Sequence, residues 1–435
     1  MNRREFLTIA GLVPFFGLRE LLGSGNLHFR NKSLMGEMTR DVNKIVDLHP
    51  QLDYKILSEA GSIMSDGFKL PDLPDGMGAF NVDNNIVLIR NHELDLINGM
   101  KKSAFSNPAK QMKRLGSKHY DKNAIGGTTT VVLDKSSKNV IKEYLSLSGT
   151  DDNCSGGVTP WGTWLTCEES IDKKKANRIP HGYVFEVDPR KESLSIPVPL
   201  KNMGRFYHEA VAFDKFQNAY LTEDRDDGLI YKFSPERLNS LENGDLFALK
   251  VKGEKDSRNW RNLSIEVNKR YVAEWVRIED VDPDDDTIRY EGLDNGATPF
   301  ARPEGIVADK NSLYICCTSG GRLKRGQIWK IIPINEKETE IELWYEVQDG
   351  ASLNMPDNIV VAPWGDLVVC EDNSKVNRLW GITPVGRPYL IAENNYSDAE
   401  FAGVCFSPFD NTLFVNIQQR GLTLSIDGNW KNVIG

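Results

Sequence analysis

Paired cysteines, long apolar runs and clustered basic residues are scarce in this 435-residue chain, and each scarcity removes a class of answer. The six cysteines are scattered with no Cys-x-x-Cys pair, which argues against a zinc ribbon or a disulfide-stapled miniprotein. Five of them, Cys167, Cys316, Cys317, Cys370 and Cys405, fall inside apolar strand-like runs, where a thiol behaves as a small hydrophobe. Basic residues number 53 against 62 acidic ones, a net charge of −9 with no basic stripe, so nucleic acid is not an expected partner. No serine has a histidine partner suited to a nucleophile–base pair. With 40% hydrophobic and 26% charged residues the composition is that of a folded globular protein.

What recurs is one pattern: an apolar strand, a small turn, a second apolar strand, then an abrupt group of acidic or amide residues. Copies run over residues 78–93 (GAFNVDNNIVLIRNHE), 157–169 (GVTPWGTWLTCEE), 209–224 (EAVAFDKFQNAYLTED), 304–318 (EGIVADKNSLYICCT), 358–373 (NIVVAPWGDLVVCEDN) and 402–418 (AGVCFSPFDNTLFVNIQ). They begin about 45 to 95 residues apart, and a β-hairpin unit at such a period points to propeller blades. Aromatic and β-branched segments between the copies supply outer strands: 128–133, 182–187, 229–233, 327–332 and 378–382. The expectation is an all-β fold, a single six-bladed β-propeller over residues 75–435 with a few inserted helices and long loops. Most copies end in Glu, Asp or Asn. Those ends would converge on one axis, and a ring of hard oxygen donors there is a cation site.

Ahead of the repeats, Asn2-Arg3-Arg4-Glu5-Phe6-Leu7 opens an apolar run through Leu18 that fits the twin-arginine export pattern. Residues 1–24 are therefore read as a signal or anchor segment. The run is short for a membrane span, and no Ala-x-Ala cleavage site is evident, so retention as an anchor stays open. Twin-arginine export carries folded proteins, often after metal loading, and implies a periplasmic or extracellular location. Residues 25–74, with a strand near 54–56, would wrap the domain edge. Two insertions break the rhythm. Residues 94–122 could form a helix or lid, and residues 234–300 begin with a helix-like 235–241 and carry the acidic run 280–286 (DVDPDDD). That run lacks the Gly and closing Glu of an EF-hand loop and reads as solvated loop.

Four segments carry more chemistry than strand ends require. In Asn153-Cys154-Ser155-Gly156-Gly157 the glycines let backbone approach a ligand, and Cys154 as a thiolate could bind a transition metal. Alone, that segment also fits a free buried thiol. His208-Glu209 would set an imidazole and a carboxylate on opposite faces of a strand. Arg302-Pro303-Glu304-Gly305 would put a guanidinium and a carboxylate on one face, a phosphate-handling pair that alone also fits a local ion pair. Glu371-Asp372-Asn373 lines up three oxygen-bearing side chains.

Together with Arg90-Asn91-His92-Glu93, Gly126-Gly127-Thr128-Thr129, Pro160-Trp161-Gly162-Thr163-Trp164, Cys167-Glu168-Glu169 and Gly204-Arg205-Phe206-Tyr207-His208-Glu209, these segments resemble the PhoX-type alkaline phosphatases. The resemblance covers most of the chain from about Asp75 to Gln418. It implies a monomeric six-bladed propeller, passed through the twin-arginine machinery, that holds iron as Fe(III), bound partly by a cysteine, with several Ca2+ ions. It also implies hydrolysis of phosphate monoesters. Carried over residue by residue, it makes Cys154 an iron ligand and Glu209 a metal-bridging carboxylate. Glu304 and Asp372 become further ligands, and Arg302 would hold the substrate phosphate. Glu93, Glu169 and Glu371 are additional inner-ring candidates. Two rivals share the architecture. A calcium-dependent lactonase or arylesterase has no obvious need for Cys154 or Arg302. A non-catalytic propeller that binds a periplasmic partner sits badly with acidic strand ends, since interface cores are depleted in charge.

Overall fold

Each sequence copy folds as an antiparallel hairpin, because its alternating apolar residues can bury both faces between neighbouring sheets. The first shows the local cause. Asp83 and Asn84 adopt φ of 48° and 66°, the left-handed pair that a two-residue turn needs, and join Pro74–Val82 to Asn85–His92. The computed structural model describes residues 38–95, 97–171, 179–261, 263–335, 338–349 and 352–434, so the twin-arginine segment lies outside them. No helix among the described residues is long and apolar enough to cross a membrane.

The first strands of the copies lie innermost: Pro74–Val82, Asn153–Val158, His208–Phe213, Pro303–Asp309, Pro356–Val361 and Phe401–Phe406. Each neighbours the next, and the last returns to the first, so they close a ring. Each ring strand leads outward into a sheet. The final sheet is completed by Leu52–Glu59, which pairs antiparallel with Leu422–Gly428 and ties the beginning of the described chain to its end. The inner strands enclose a cavity of about 500 Å³ that Met77, Ala79, Val211, Ile306, Ile359 and Val404 help to line. Apolar clusters fill the spaces between sheets, such as Ile89, Trp164 and Phe185 in one and Leu221, Tyr231 and Phe233 in another.

The architecture is all-β and propeller-like, but the strands of the described residues form five sheets rather than six separate ones. Two copies share a nine-stranded sheet, because Arg270–Arg277 pairs with Gly244–Val251 on one side and with Thr339–Glu346 on the other. Both Gly244–Val251 and Arg270–Arg277 come from the 234–300 insertion. The helix expected at 235–241 does not form: Pro235 closes the strand Ile230–Pro235 opposite Gly244. The insertion's helix is Ile288–Asp294. Nor is the acidic run merely solvated. Asp282 accepts from Tyr183 Oη at 2.6 Å and Lys201 Nζ at 2.8 Å, and the carbonyls of Pro283 and Asp284 cap the buried Arg205 guanidinium. In the other insertion Pro108–Leu115 is a helix with Pro at its first position.

Candidate metal centre

All six inner strands share one irregularity, and it builds the site. Each pairs its first or second residue with the neighbouring strand, then loses register before resuming, as between Pro74 and Met77 or Pro303 and Ile306. Such a bulge re-aims a side chain. The second residue of five inner strands is Asp75, Cys154, Glu209, Glu304 and Asp357; the sixth has Ala402. Close approach of the strands depends on small residues beside them. A Cβ on Gly305 would lie 2.4 Å from the Asp357 carbonyl oxygen, and one on Gly403, whose φ is +62°, 2.1 Å from that of Asp75. Side chains of the second strands then lock the backbone of the next copy. Asn91 Nδ2, itself oriented by Trp164 Nε1 at 2.9 Å, donates to the carbonyls of Cys154 and Ser155 at 2.9 and 2.7 Å. Thr222 Oγ1 donates to the Glu304 carbonyl at 2.5 Å, and Asn416 Nδ2 to that of Asp75 at 2.6 Å.

Cys154 Sγ lies 3.0 Å from Glu209 Oε1 and 4.0 Å from Asp75 Oδ2. Three groups have ligand atoms within 4.8 Å of one another: Asp75, Glu93 and Cys154; Cys154, Glu169 and Glu209; Glu209, Glu304 and Asp357. They share Cys154 and Glu209, so they form one continuous string of donors. Gln418 Nε2 bridges Asp75 Oδ2 and Glu93 Oε2 at 2.5 Å each. Buried Asp75 Oδ1 and Glu209 Oε2 have no hydrogen-bond partner.

Burial, then mutual repulsion, pushes the carboxyls of Asp75, Glu93, Glu169, Glu209 and Glu304 well above the usual range. Asp357 is raised for the same first reason, and Glu400 beside them rises to about 8. The Cys154 thiol is likewise pushed up by burial and by the carboxylates around it. A buried set this rich in acids favours protons or cations over bare charge. Orphaned oxygens and a mixed oxygen–sulfur donor set fit resident metals: oxygen-only groups suit calcium, and a thiolate among carboxylates suits a transition metal such as iron.

Comparison with known proteins gives the family. The family model for alkaline phosphatase PhoX matches residues 33–421. The chain belongs to the PhoX alkaline phosphatase family. It is therefore a phosphatase, an enzyme of a family that acts on phosphate esters. Among solved structures, Pseudomonas fluorescens PhoX in complex with vanadate, a transition-state analogue, aligns with TM-score 0.68 at 18% identity, covering 88% of this chain and 96% of that one. A Staphylococcus aureus virginiamycin B lyase with quinupristin aligns at TM-score 0.44 and 10% identity over 86% of this chain and 99% of that one. A gluconolactonase from Xanthomonas campestris gives 0.42 and 10% over 90% and 100%. Curated proteins provide no match.

Within this PhoX-family chain, the structure joins Cys154, Glu93, Glu169, Glu209 and Glu304 in the three groups, and sets two of the expected residues apart from them. Asp372 instead meets Arg302: its Oδ2 is 3.1 Å from Nη1. Glu371, paired with Pro356 in the ladder, turns the other way, because adjacent strand residues face opposite sides. Its Oε1 accepts from the Asn354 amide and Trp380 Nε1, both at 2.8 Å. Arg302 meets Glu304 as expected, but by another route. It precedes the strand with φ of 50°, and that left-handed turn, rather than strand alternation, brings Nη2 to 2.7 Å from Glu304 Oε1. Nε and Nη2 grip Asp224 at 2.8 and 2.9 Å.

Sequence reasoning missed Asp75, Asp357 and Asp224. Asp75 and Asp357 lie just ahead of the copies 78–93 and 358–373, outside the strand-end acids that the repeat picks out, and Asp224 is the closing residue of the copy 209–224. The available signal for Asp75 and Asp357 was the shared position, one residue after the Pro, Asn or His that opens five of the six inner strands.

Other strand-end acids serve the walls. Glu168, which faces away from the axis like Glu371, accepts from His181 Nδ1 at 2.7 Å, while His181 Nε2 lies 3.3 Å from Asp121 Oδ2. Burial opposes the imidazolium, but Glu168, Asp121 and Asp151 raise His181 to about 9. An imidazole raised above its ordinary value stabilises the fold fully below pH ~6.5, and that contribution is lost as pH climbs through about 9. Melting temperature followed from pH 6 to 10 should therefore fall across this window in wild type, by a contribution on the order of 3 kcal/mol. The His181→Gln variant should start lower and show a flatter slope. An equal slope in both would contradict the assignment.

Proposed function

We propose that this PhoX-family chain hydrolyses phosphate monoesters outside the cytoplasm, at an axial centre of Fe(III) and Ca2+, with Arg302 holding the phosphoryl group. The observation that carries the reading is the unbroken donor string centred on Cys154 and Glu209. Cys154, Glu209 and their carboxylate neighbours would hold the iron. Glu304 and Asp357, with Glu209, would serve calcium, and Asp372 is a further ligand whose present partner is Arg302. Bound there, such cations supply Lewis-acid polarisation of a phosphoryl oxygen. Loading requires Cys154 Sγ and the carboxyls to release the protons that burial now favours. Once Glu304 serves a cation, the Arg302 donor engaged with it becomes available to a phosphate oxygen, where a fixed guanidinium stabilises charge that builds in transfer.

On this reading the nine-stranded sheet is two blades fused at their outer strands, giving six blades, one per sequence copy. Residues 75–435, with Pro74 opening the first ring strand and Leu52–Glu59 supplying the outer strand of the last blade, then make one propeller that works as a monomer, and residues 1–24 direct twin-arginine export to the periplasm or beyond. Wild-type protein should hydrolyse p-nitrophenyl phosphate and leave a lactone and an aryl acetate nearly untouched. The reverse preference would replace this reading with the lactonase one.

A further inference from the structure

A second guanidinium borders the acidic axis. Arg225 follows the strand Ala219–Glu223 and lies flat on Tyr207, its Cζ 3.2 Å from the ring centroid. Tyr207 belongs to the segment that leads into Glu209. The Arg225 carbonyl accepts from the amides of Arg302 and Gly228 at 2.9 and 2.8 Å, which fixes the two arginines on either side of Asp224. The Arg225 charge also reaches Glu169, where it opposes the upward push of burial and of Asp224.

The two arginines differ in what they have left to offer. Arg302 is engaged by three carboxylates, those of Asp224, Glu304 and Asp372. Arg225 donates Nη1 to the Asp224 carbonyl at 3.1 Å, and its ion pair with Asp286 is long, 3.9 Å from Nε. Its Nη2 has no protein acceptor among the described residues. Its side chain is 30% exposed. Stacking on an aromatic face holds the fork in one orientation and lowers the ordering cost of a new contact.

We propose that Arg225, laid on Tyr207, reads the substrate: it donates to the phosphate of a monoester dianion beside Arg302. This rests on the phosphomonoesterase reading above. A second cation also favours the dianion over the singly charged diester, so the contact selects monoesters.

The test compares wild type, Arg225→Ala and Arg225→Lys with p-nitrophenyl phosphate, bis-p-nitrophenyl phosphate and inorganic phosphate, with metal content and melting temperature measured on each. Arg225→Ala should raise KM for the monoester and the inhibition constant of inorganic phosphate in parallel, by about 10-fold or more, the scale of one charge-assisted hydrogen bond. Metal content and melting temperature should hold, and the diester should be affected less. Arg225→Lys should recover part of the loss. If wild type is active but Arg225→Ala leaves both constants unchanged, Arg225 does not touch substrate while the phosphatase reading stands. If metal content and melting temperature fall with KM, Arg225 is structural and the proposal also fails. A wild type that neither hydrolyses the monoester nor binds phosphate overturns the function reading, and this inference with it.

Discussion

Cys154→Ala should remove the transition metal and the phosphatase activity together while the fold persists. The thiol lies against the axial carboxylates, 3.0 Å from Glu209 Oε1 and 4.0 Å from Asp75 Oδ2. Replacement by a methyl leaves Asp75, Glu93, Glu169 and Glu209 as an all-oxygen set, which suits calcium better than iron. Turnover of p-nitrophenyl phosphate should fall by more than about 10³-fold, beyond the 10–100-fold typical of losing a residue that only supports a ligand. Far-ultraviolet circular dichroism should be unchanged, because the ring strands are held by the Asn91, Thr222 and Asn416 bonds to backbone, none of which uses the sulfur. Cys154→Ser should keep calcium but shift any iron absorption. A Cys154→Ala protein with wild-type colour and rate would refute the metal assignment.

Arg302→Ala has the second largest expected effect. Removing the guanidinium leaves metal ligands in place, so metal content should stay intact. Turnover should nevertheless drop by about 10²-fold or more, the scale of one preorganised contact to the developing charge. Arg302→Lys should restore only part, since an ammonium cannot reproduce the fork that now spans Asp224 at 2.8 and 2.9 Å. The carboxylates of Asp224, Glu304 and Asp372 add a check. In metal-free protein they lose their shared cation in Arg302→Ala, so that form should melt lower, whereas loaded protein should not. Full activity in Arg302→Ala would make Arg302 an ion-pair partner of these acids and nothing more.

Much of this was legible in the chain itself, because hairpin alternation is a two-residue signal that survives in single sequences. The six inner strands and the convergence of Cys154, Glu209 and Glu304 follow from it and from the motifs around them. What was not legible turns on single-residue phase. Glu371 and Asp372 are neighbours with opposite directions, and only the register with Pro356 tells them apart. Arg302 and Glu304 meet through a left-handed backbone that no sequence spacing encodes. Asp75 and Asp357 lie just ahead of the copies 78–93 and 358–373, where the repeat does not point to them. The strands Gly244–Val251 and Arg270–Arg277 lay in an insertion with weak alternation, so two copies merged into a sheet that sequence reading kept apart. The helix expected at 235–241 lost to ladder pairing, where local propensity is outweighed by tertiary hydrogen bonds.

On this reading one thiol and a string of buried carboxylates hold iron and calcium. Elemental analysis of wild-type protein, purified without added metal and extensively dialysed, tests it most directly. Iron and calcium should be found together, both in stoichiometric amounts. Protein that carries calcium alone, or no metal while still hydrolysing phosphate monoesters at full rate, would contradict it.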